Sequence, residues 1–374
     1  MKAVSVIILN WNGAEMLRRF LPEVIATTNS DIAELIVADN GSTDESLRVL
    51  AEEFPDVKLI RFDTNYGFAE GYNRAITQVN TEYVVLLNSD VATTAGWIET
   101  LYDYMQANPN CAACQPKLLA VNAPNSFEYA GAAGGFLDRN GYPYCRGRIF
   151  DTIERDNGQY DTPIHIDWAS GAALMVRRDL YISAGGLDPT FFAHMEEIDL
   201  CWRLRLLGHT IDAVPTASVF HLGGGSLPMG TPRKTYLNFR NNLLLLKKNL
   251  PKAVRGRRLF VRRLLDTIAW AKFMVTFDFQ SANAILRAHR DFRHHYHTDA
   301  HAAQTEGITP ADNSATQQVE GTHAEASERQ QLTGFLPIEP QSDLISLRPN
   351  ILIHYYLLRH RHFTSLPHSN HKHL

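Results

Sequence analysis

The residues best equipped for chemistry lie in Phe192-Ala-His-Met-Glu196-Glu197-Ile-Asp199-Leu-Cys-Trp-Arg203, where three carboxylates crowd into four positions ahead of an arginine. Neighbouring negative charges raise one another's pKa. That cost is tolerated where acids bind a cation, pair with bases or move protons. The plainer alternative is a helix start, because the positive end of the helix dipole favours acids in a first turn. Asp199 and Arg203, four apart, can equally form a structural ion pair. A fourth acid, Asp90, follows the run Val-Val-Leu-Leu-Asn88-Ser89. At a strand end it offers a hard oxygen to Mg²⁺ or Mn²⁺, or simply closes a turn.

These acids need a frame. Val4–Leu9, Leu35–Ala38, Val57–Phe62 and Tyr83–Leu87 read as strands, and segments around 14–28, 44–53 and 69–79 carry helical periodicity. That alternation predicts βαβ units and a mostly parallel sheet covered by helices. Such sheets bind ligands beyond the carboxyl ends of their strands. Polar residues gather there: Asn10 and Asn12 after the first strand, Asp39 to Asp44 after the second, Asn88 to Asp90 after the last. Ser42 or Thr43 also suits a helix N-cap. Asn65-Tyr-Gly67-Phe-Ala-Glu-Gly71-Tyr-Asn73 is glycine-punctuated at a helix entry, where a phosphate or base can approach the backbone.

The chain has 374 residues, 45% of them apolar, enough for more than one compact unit. A formal charge of -4 argues against a nucleic-acid partner for the whole molecule. Cys111, Cys114, Cys145 and Cys201 are too few for a disulfide scaffold and lack zinc-site spacing, so they read as small buried residues in a reducing compartment. The first strand carries no cleavage-site pattern, and no uninterrupted apolar window reaches membrane-spanning length. A cytoplasmic location follows as the expectation.

Taken in order, Val-Ser-Val-Ile-Ile-Leu-Asn10-Trp-Asn12-Gly, Val-Ala-Asp39-Asn-Gly-Ser-Thr-Asp44, the Asn65–Asn73 loop, Leu-Leu-Asn88-Ser89-Asp90, Ser170-Gly171-Ala-Ala-Leu-Met, the Gly-Gly-Leu-Asp-Pro to Arg203 stretch and His221 resemble the family 2 glycosyltransferases, in particular the rhamnosyltransferase-like bacterial branch. The resemblance implies an α/β GT-A fold: a Rossmann-like mixed sheet flanked by helices, here with a helical C-terminal extension. It implies an inverting transfer of a sugar, rhamnose among the candidates, from a nucleotide-diphosphate donor to a glycan or polyprenyl-linked acceptor. By the same resemblance Asn10, Asn12, Asp39, Asn65, Gly67, Asn73 and Ser89 bind the nucleotide sugar. Asp90 and His221 hold Mg²⁺ or Mn²⁺, with Asn88 replacing the first acid of the family's D-x-D-type motif. Glu196 and Glu197 map to the pair that supplies the base, Glu197 aligning with the usual acid. Trp168, Ser170 and Gly171 border the acceptor, although Trp168 is equally suited to core packing. Phe136, Tyr142 and Tyr144 could contact substrate or pack. Asn88 and the Glu at 197 keep a second reading open, a non-catalytic nucleotide-sugar-binding scaffold.

The chain divides by texture into a catalytic domain at 1–229, a basic amphipathic helical extension at 230–298, a disordered linker at 299–340 and a short segment with a His-rich tail at 341–374. From Arg233 to Arg263 no Asp or Glu occurs. Arg255, Arg258 and Arg262 share one helical sector beside Val261, Leu264, Leu265 and Ile268, the layout of a helix lying on an anionic membrane surface. Peripheral association with the inner leaflet through 233–263 is therefore expected, against the alternative of a helix packed on the catalytic domain.

Overall fold

The computed structural model describes residues 2–223, 230–305, 342–345 and 347–367. Residues 224–229 of the glycine-rich loop after His221, most of the expected linker and most of the His-rich tail lie outside the described residues. The frame is a mixed sheet. Its parallel part comprises β1 (Val4–Asn10), β2 (Ala33–Asn40), β3 (Lys58–Phe62) and β4 (Tyr83–Asn88), in the spatial order β3-β2-β1-β4. The connecting helices are α1 (Ala14–Thr27), α2 (Ser46–Glu53) and α3 (Gly67–Ile76). β1 is buried almost throughout, in keeping with a mostly β-branched run, interrupted by Ser5, in a strand covered on both faces. α1 turns Leu17, Phe20, Leu21 and Val24 inward at helical spacing.

Beyond β4 the sheet becomes mixed. β5 (Val91–Thr93), α4 (Trp97–Ala107), β6 (Cys111–Ala120) and β7 (Ala123–Phe127) follow. A small sheet is built from β8 (Gly135–Leu137), β9 (Pro143–Cys145), β10 (Arg148–Ile149) and β11 (Thr152–Ile153). The chain then returns to the main sheet with β12 (Ile164–Ile166) and β13 (Ala173–Arg177), and continues through α5 (Arg178–Ser183), α6 (Glu196–Leu206) and β14 (Thr210–His221). β13 lies antiparallel between β4 and β6. β14 pairs with β6, β12 and β5. Register fixes what meets at the rim: Asn10 stands opposite Asp39, Leu9 opposite Asn88, and His221 opposite Val91. All four cysteines are free and buried.

The extension folds as α7 (Pro232–Asn249), α8 (Lys252–Val275) and α9 (Phe279–Thr305). The expected outward basic sector is turned the other way. Arg255 donates to the Leu250 carbonyl, and Arg258 to the Arg139 carbonyl and to Asp343. Arg262 is buried, pairs with Asp266 at 2.7 Å and lies 3.8 Å over the Tyr142 ring. Guanidiniums carry enough donors to satisfy buried carbonyls and acids at once, so these cations staple α8 to the rest of the fold. Phe136 and Tyr144 also pack, stacking near Phe363 of the C-terminal segment. Among the described residues no helix is long and apolar enough to cross a membrane.

Candidate active site

The carboxyl ends of β1, β2 and β4 form the floor of the site. Asp39 is fully buried; its Oδ2 accepts from Asn10 Nδ2 at 3.1 Å and its Oδ1 from the Ser42 amide at 3.0 Å. Asn10 Oδ1 is buried without a partner, and a Cβ placed on Gly13 would lie 2.4 Å from it. An unsatisfied buried carbonyl at a ligand-binding edge is the kind of exception that a bound group resolves. Ser89 stands beside Gly13 at this edge. Asn12 instead stitches two loops together, its Oδ1 accepting the Thr43 amide at 2.7 Å. Asn65 orders the start of α3, accepting from the Gly67 amide at 2.8 Å and from Asn40 at 3.0 Å. Gly67, with φ of 78°, leaves open space where a side chain would stand.

Asp90 meets His221 because β5 pairs with β14. His221 Nε2 lies 3.2 Å from Asp90 Oδ1 and 3.4 Å from Asn88 Nδ2. Neighbouring ligands of an octahedral ion bound at about 2.1 Å are about 3 Å apart, so one Mg²⁺ or Mn²⁺ fits between Asp90 and His221. Turning the Asn88 amide over would bring its oxygen to the same place as a third donor. No group of three His, Cys, Asp or Glu side chains forms a closed metal cage among the described residues. An open site, completed by phosphate and water, is what these donors can make.

On the far side of His221, Glu128 Oε1 lies 3.5 Å from Nδ1, too poorly aligned for a hydrogen bond, since Nδ1 has no partner by geometry. Burial opposes charge on this imidazole, but the Asp90 and Glu128 carboxylates outweigh it and push its pKa up to about 10. Glu128 had no motif to mark it. The β6–β7 hairpin carries this lone acid to the site.

The acid pair closes the arrangement. The Asn88 amide donates to the Ala172 carbonyl at 3.0 Å. Next to it, a Cβ on Gly171 would lie 3.5 Å from Phe68 and 3.7 Å from Glu197 Cβ. Asp90, His221, Asn88, Gly171 and Glu197 thus follow one another along one edge. Glu196 is only 5% exposed, while Glu197 is partly open; each has a buried oxygen without a partner. Burial, and for Glu196 the neighbouring charge as well, raises both pKa values, that of Glu197 to about 7.

Residues 5–178 match the family model described as Glycosyl transferase family 2. This chain carries a family 2 glycosyltransferase domain. It is 28% identical over 236 residues to an N-acetylglucosaminyl-diphospho-decaprenol L-rhamnosyltransferase of Mycobacterium tuberculosis, covering 58% of this chain and 75% of that one. It is 23% identical to the rhamnosyltransferase WbbL of Escherichia coli, covering 58% and 83%. In fold it is similar to GalNAc-T7 solved with UDP, GalNAc and Mn²⁺, with a TM-score of 0.53 and 16% identity over 67% of this chain and 49% of that one.

Within the glycosyltransferase domain, several expected contact residues are structural. Asn73 Nδ2 donates to the Leu187 carbonyl at 2.8 Å, while its Oδ1 accepts from the Leu187 amide and Tyr181. It fastens the Gly-Gly-Leu-Asp turn to α3. Trp168 is 3% exposed, donates to the Phe136 carbonyl and lies flat against Gly135; a buried, covered indole cannot stack on a sugar. Ser170 is buried too, its hydroxyl on the Ala130 carbonyl and its amide on Gln115. Asp199 forms the ion pair that its spacing allowed, meeting Arg203 at 2.8 Å, Lys248 at 2.8 Å and Asn249 at 2.7 Å.

The segment leading into the acid pair is strained. Phe192, His194 and Met195 all have positive φ, at 65°, 67° and 80°. Phe192, with ψ of -56°, is the centre of a γ-turn closed by the Ala193 amide on the Phe191 carbonyl, the rarer and strained hand of that turn. Side-chain residues held there cost on the order of 1–3 kcal/mol each. α7 supplies the clamp: Asn241 Nδ2 reaches the carbonyls of Phe191, Ala193 and His194 at 2.8–2.9 Å. Arg240 adds the carbonyls of Thr190 and Phe191. The extension therefore holds the loop from which Glu196 and Glu197 emerge.

Proposed function

We propose that this glycosyltransferase moves a sugar, with rhamnose the leading candidate, from a nucleotide diphosphate to a lipid-linked glycan at the cytoplasmic face of a membrane, with inversion at the anomeric carbon. The acceptor hydroxyl attacks the anomeric carbon from the face opposite the diphosphate. The bond from that carbon to the diphosphate oxygen breaks, its electron pair leaves with the nucleotide, and Glu197 takes the hydroxyl proton. A divalent cation on Asp90 and His221, completed by diphosphate oxygens and water, would supply Lewis-acid stabilisation of the departing charge. The chain's own part is placement. Asn10, Asp39, the Asn65–Gly67 turn and Ser89 border the space for the nucleotide, and Gly171, beside Phe68 and Glu197, borders the space for the acceptor.

The observation that carries this reading is the run from Asp90 through Asn88 and Gly171 to Glu197 along one edge, with the acid's pKa near neutrality. A general base works best when its pKa lies near the working pH. Partial exposure favours Glu197 over the more enclosed Glu196. The rhamnosyl donor and lipid-linked acceptor rest on the mycobacterial relative's name. Wild-type protein is given dTDP-rhamnose and other nucleotide sugars with a polyprenyl-diphosphate-linked acceptor, with Mn²⁺ or with EDTA. Metal-dependent release of nucleoside diphosphate matched by product is expected. No turnover with any donor contradicts the reading.

A further inference from the structure

We propose that the outward face of the α8–α9 pair docks on an anionic lipid bilayer, an inference that rests on, and sharpens, the reading of a lipid-linked acceptor. Phe260, Leu264 and Ile268 recur every four residues on α8 and stand 69%, 58% and 62% exposed. Val275 extends the same face, Phe277 and Phe279 project at the turn into α9, and Leu286 continues along α9. Single exposed apolar residues are ordinary, but a contiguous band of this kind marks an interaction surface.

Charge identifies the partner. Arg257, Arg263 and Lys272 are exposed along the flanks of the band. Between 252 and 290 the acids are Asp266 and Asp278, and neither stands exposed. Asp266 is buried under Arg262 and His289, and Asp278 caps α9 through the Ser281 amide. An apolar band whose exposed charges, from 252 to 290, are all cations matches acyl chains beneath anionic headgroups. A two-fold pairing with a second copy would bring like-charged rims together. Residues 306–341 offer few large apolar side chains to cover the band.

Beside the band a cleft of about 390 Å³ opens between α8 and α9, where Arg263 and Arg293 meet Trp270 and Leu286 above Asp266 and His289. The Trp270 indole N–H is buried there without an acceptor. Indoles of this kind favour the headgroup level, where phosphate and ester oxygens accept. No described helix is apolar enough to span, so the pair lies on the surface rather than through it.

The test is flotation of the full-length protein with vesicles of phosphatidylcholine alone or containing a minority of phosphatidylglycerol, at low and high salt. Wild type should float with the anionic vesicles, less so at high salt. Phe260→Glu/Leu264→Glu/Ile268→Glu should lower the bound fraction roughly tenfold or more, and Arg257→Gln/Arg263→Gln/Lys272→Gln should remove the salt dependence. Both variants should keep wild-type thermal stabilisation by nucleoside diphosphate, which shows that they fold. Equal flotation of wild type and the glutamate variant overturns the proposal. So does a wild type that stays in solution at every vesicle concentration, whether a second copy, seen by light scattering, or residues 306–341 occupy the band. Flotation without sugar transfer would leave the docking face standing and remove the catalytic reading instead.

Discussion

His221 Nε2 stands 3.2 Å from Asp90 Oδ1 while its Nδ1 faces Glu128 at 3.5 Å, so one imidazole is held between two carboxylates. A carboxylate hydrogen-bonded behind a metal-bound histidine strengthens its donor nitrogen, and its loss costs 10- to 100-fold in affinity; Glu128, 3.5 Å away and out of line, acts through its charge and belongs at the low end of that range. Glu128→Gln should therefore weaken Mn²⁺ binding roughly tenfold in the presence of a nucleoside diphosphate, and His221→Ala more. Titration calorimetry reads both. Equal Mn²⁺ affinity in wild type and His221→Ala would exclude His221 from the metal site.

The pH dependence has a definite sign. Burial raises Glu197 from 4.5 to about 7, so a base role predicts turnover that rises with pH and levels off above about 7. Stability runs the other way. Below 4.5 the carboxyl is neutral in both folded and unfolded chains. As pH rises towards 7 the unfolded chain ionises first, and the folded state loses up to roughly 3 kcal/mol. Glu197→Gln should thus raise the melting temperature at pH 8 and leave it nearly unchanged at pH 4. An unchanged melting temperature at both pH values would mean that the carboxyl is well solvated.

Asn241 acts at a distance from the acids, through three backbone carbonyls of the strained segment. Asn241→Ala removes a clamp worth roughly 1 kcal/mol per hydrogen bond and frees the strained loop to relax. Misplacing a base by about 1 Å costs around 100-fold in rate. We expect kcat to fall by about that factor while nucleotide affinity stays near wild type. A variant that lost nucleotide affinity and kept kcat would contradict the clamp.

Asp199 is fully buried between Arg203 and Lys248, and although burial opposes its charge these cations hold its pKa below the usual carboxylate value. Asp199→Asn leaves two cations facing a neutral amide, a loss of about 3–5 kcal/mol for a broken buried pair. Denaturant unfolding at neutral pH should show it. Because the folded pKa is depressed, the wild-type advantage should fade as pH falls through the acidic range below 3.8.

What was legible in the sequence followed from residue physics. β1, β2 and β4 are largely apolar runs, and the polar residues that end them lie at the rim, where Asn10, Asp39 and Asn88 were found and Asp90 follows. The small sheet was not legible because strands of two or three residues, Arg148–Ile149 among them, are too short to show alternation. Motif membership also cannot separate a residue that touches a ligand from one that fastens the loop touching it. Asn73, Ser170 and Trp168 proved to be fasteners. The orientation of Arg255, Arg258 and Arg262 was hidden because a helical wheel shows which residues share a face, not which face meets the protein. Glu128 gave no local signal, and the family-like stretch Tyr236 to Asn242 did not reveal the role of Asn241, since each acts on residues far away in the chain.

We propose that donor grip and proton removal sit on one edge but in different side chains. Measuring transfer and nucleotide-sugar binding for wild type, Asp90→Asn and Glu197→Gln in the presence of Mn²⁺ tests it most directly. Glu197→Gln should bind the donor as wild type does and lose transfer by about 100-fold or more, whereas Asp90→Asn should lose metal-dependent donor binding and transfer together. Transfer by Glu197→Gln at the wild-type rate, with donor still bound, would contradict the account.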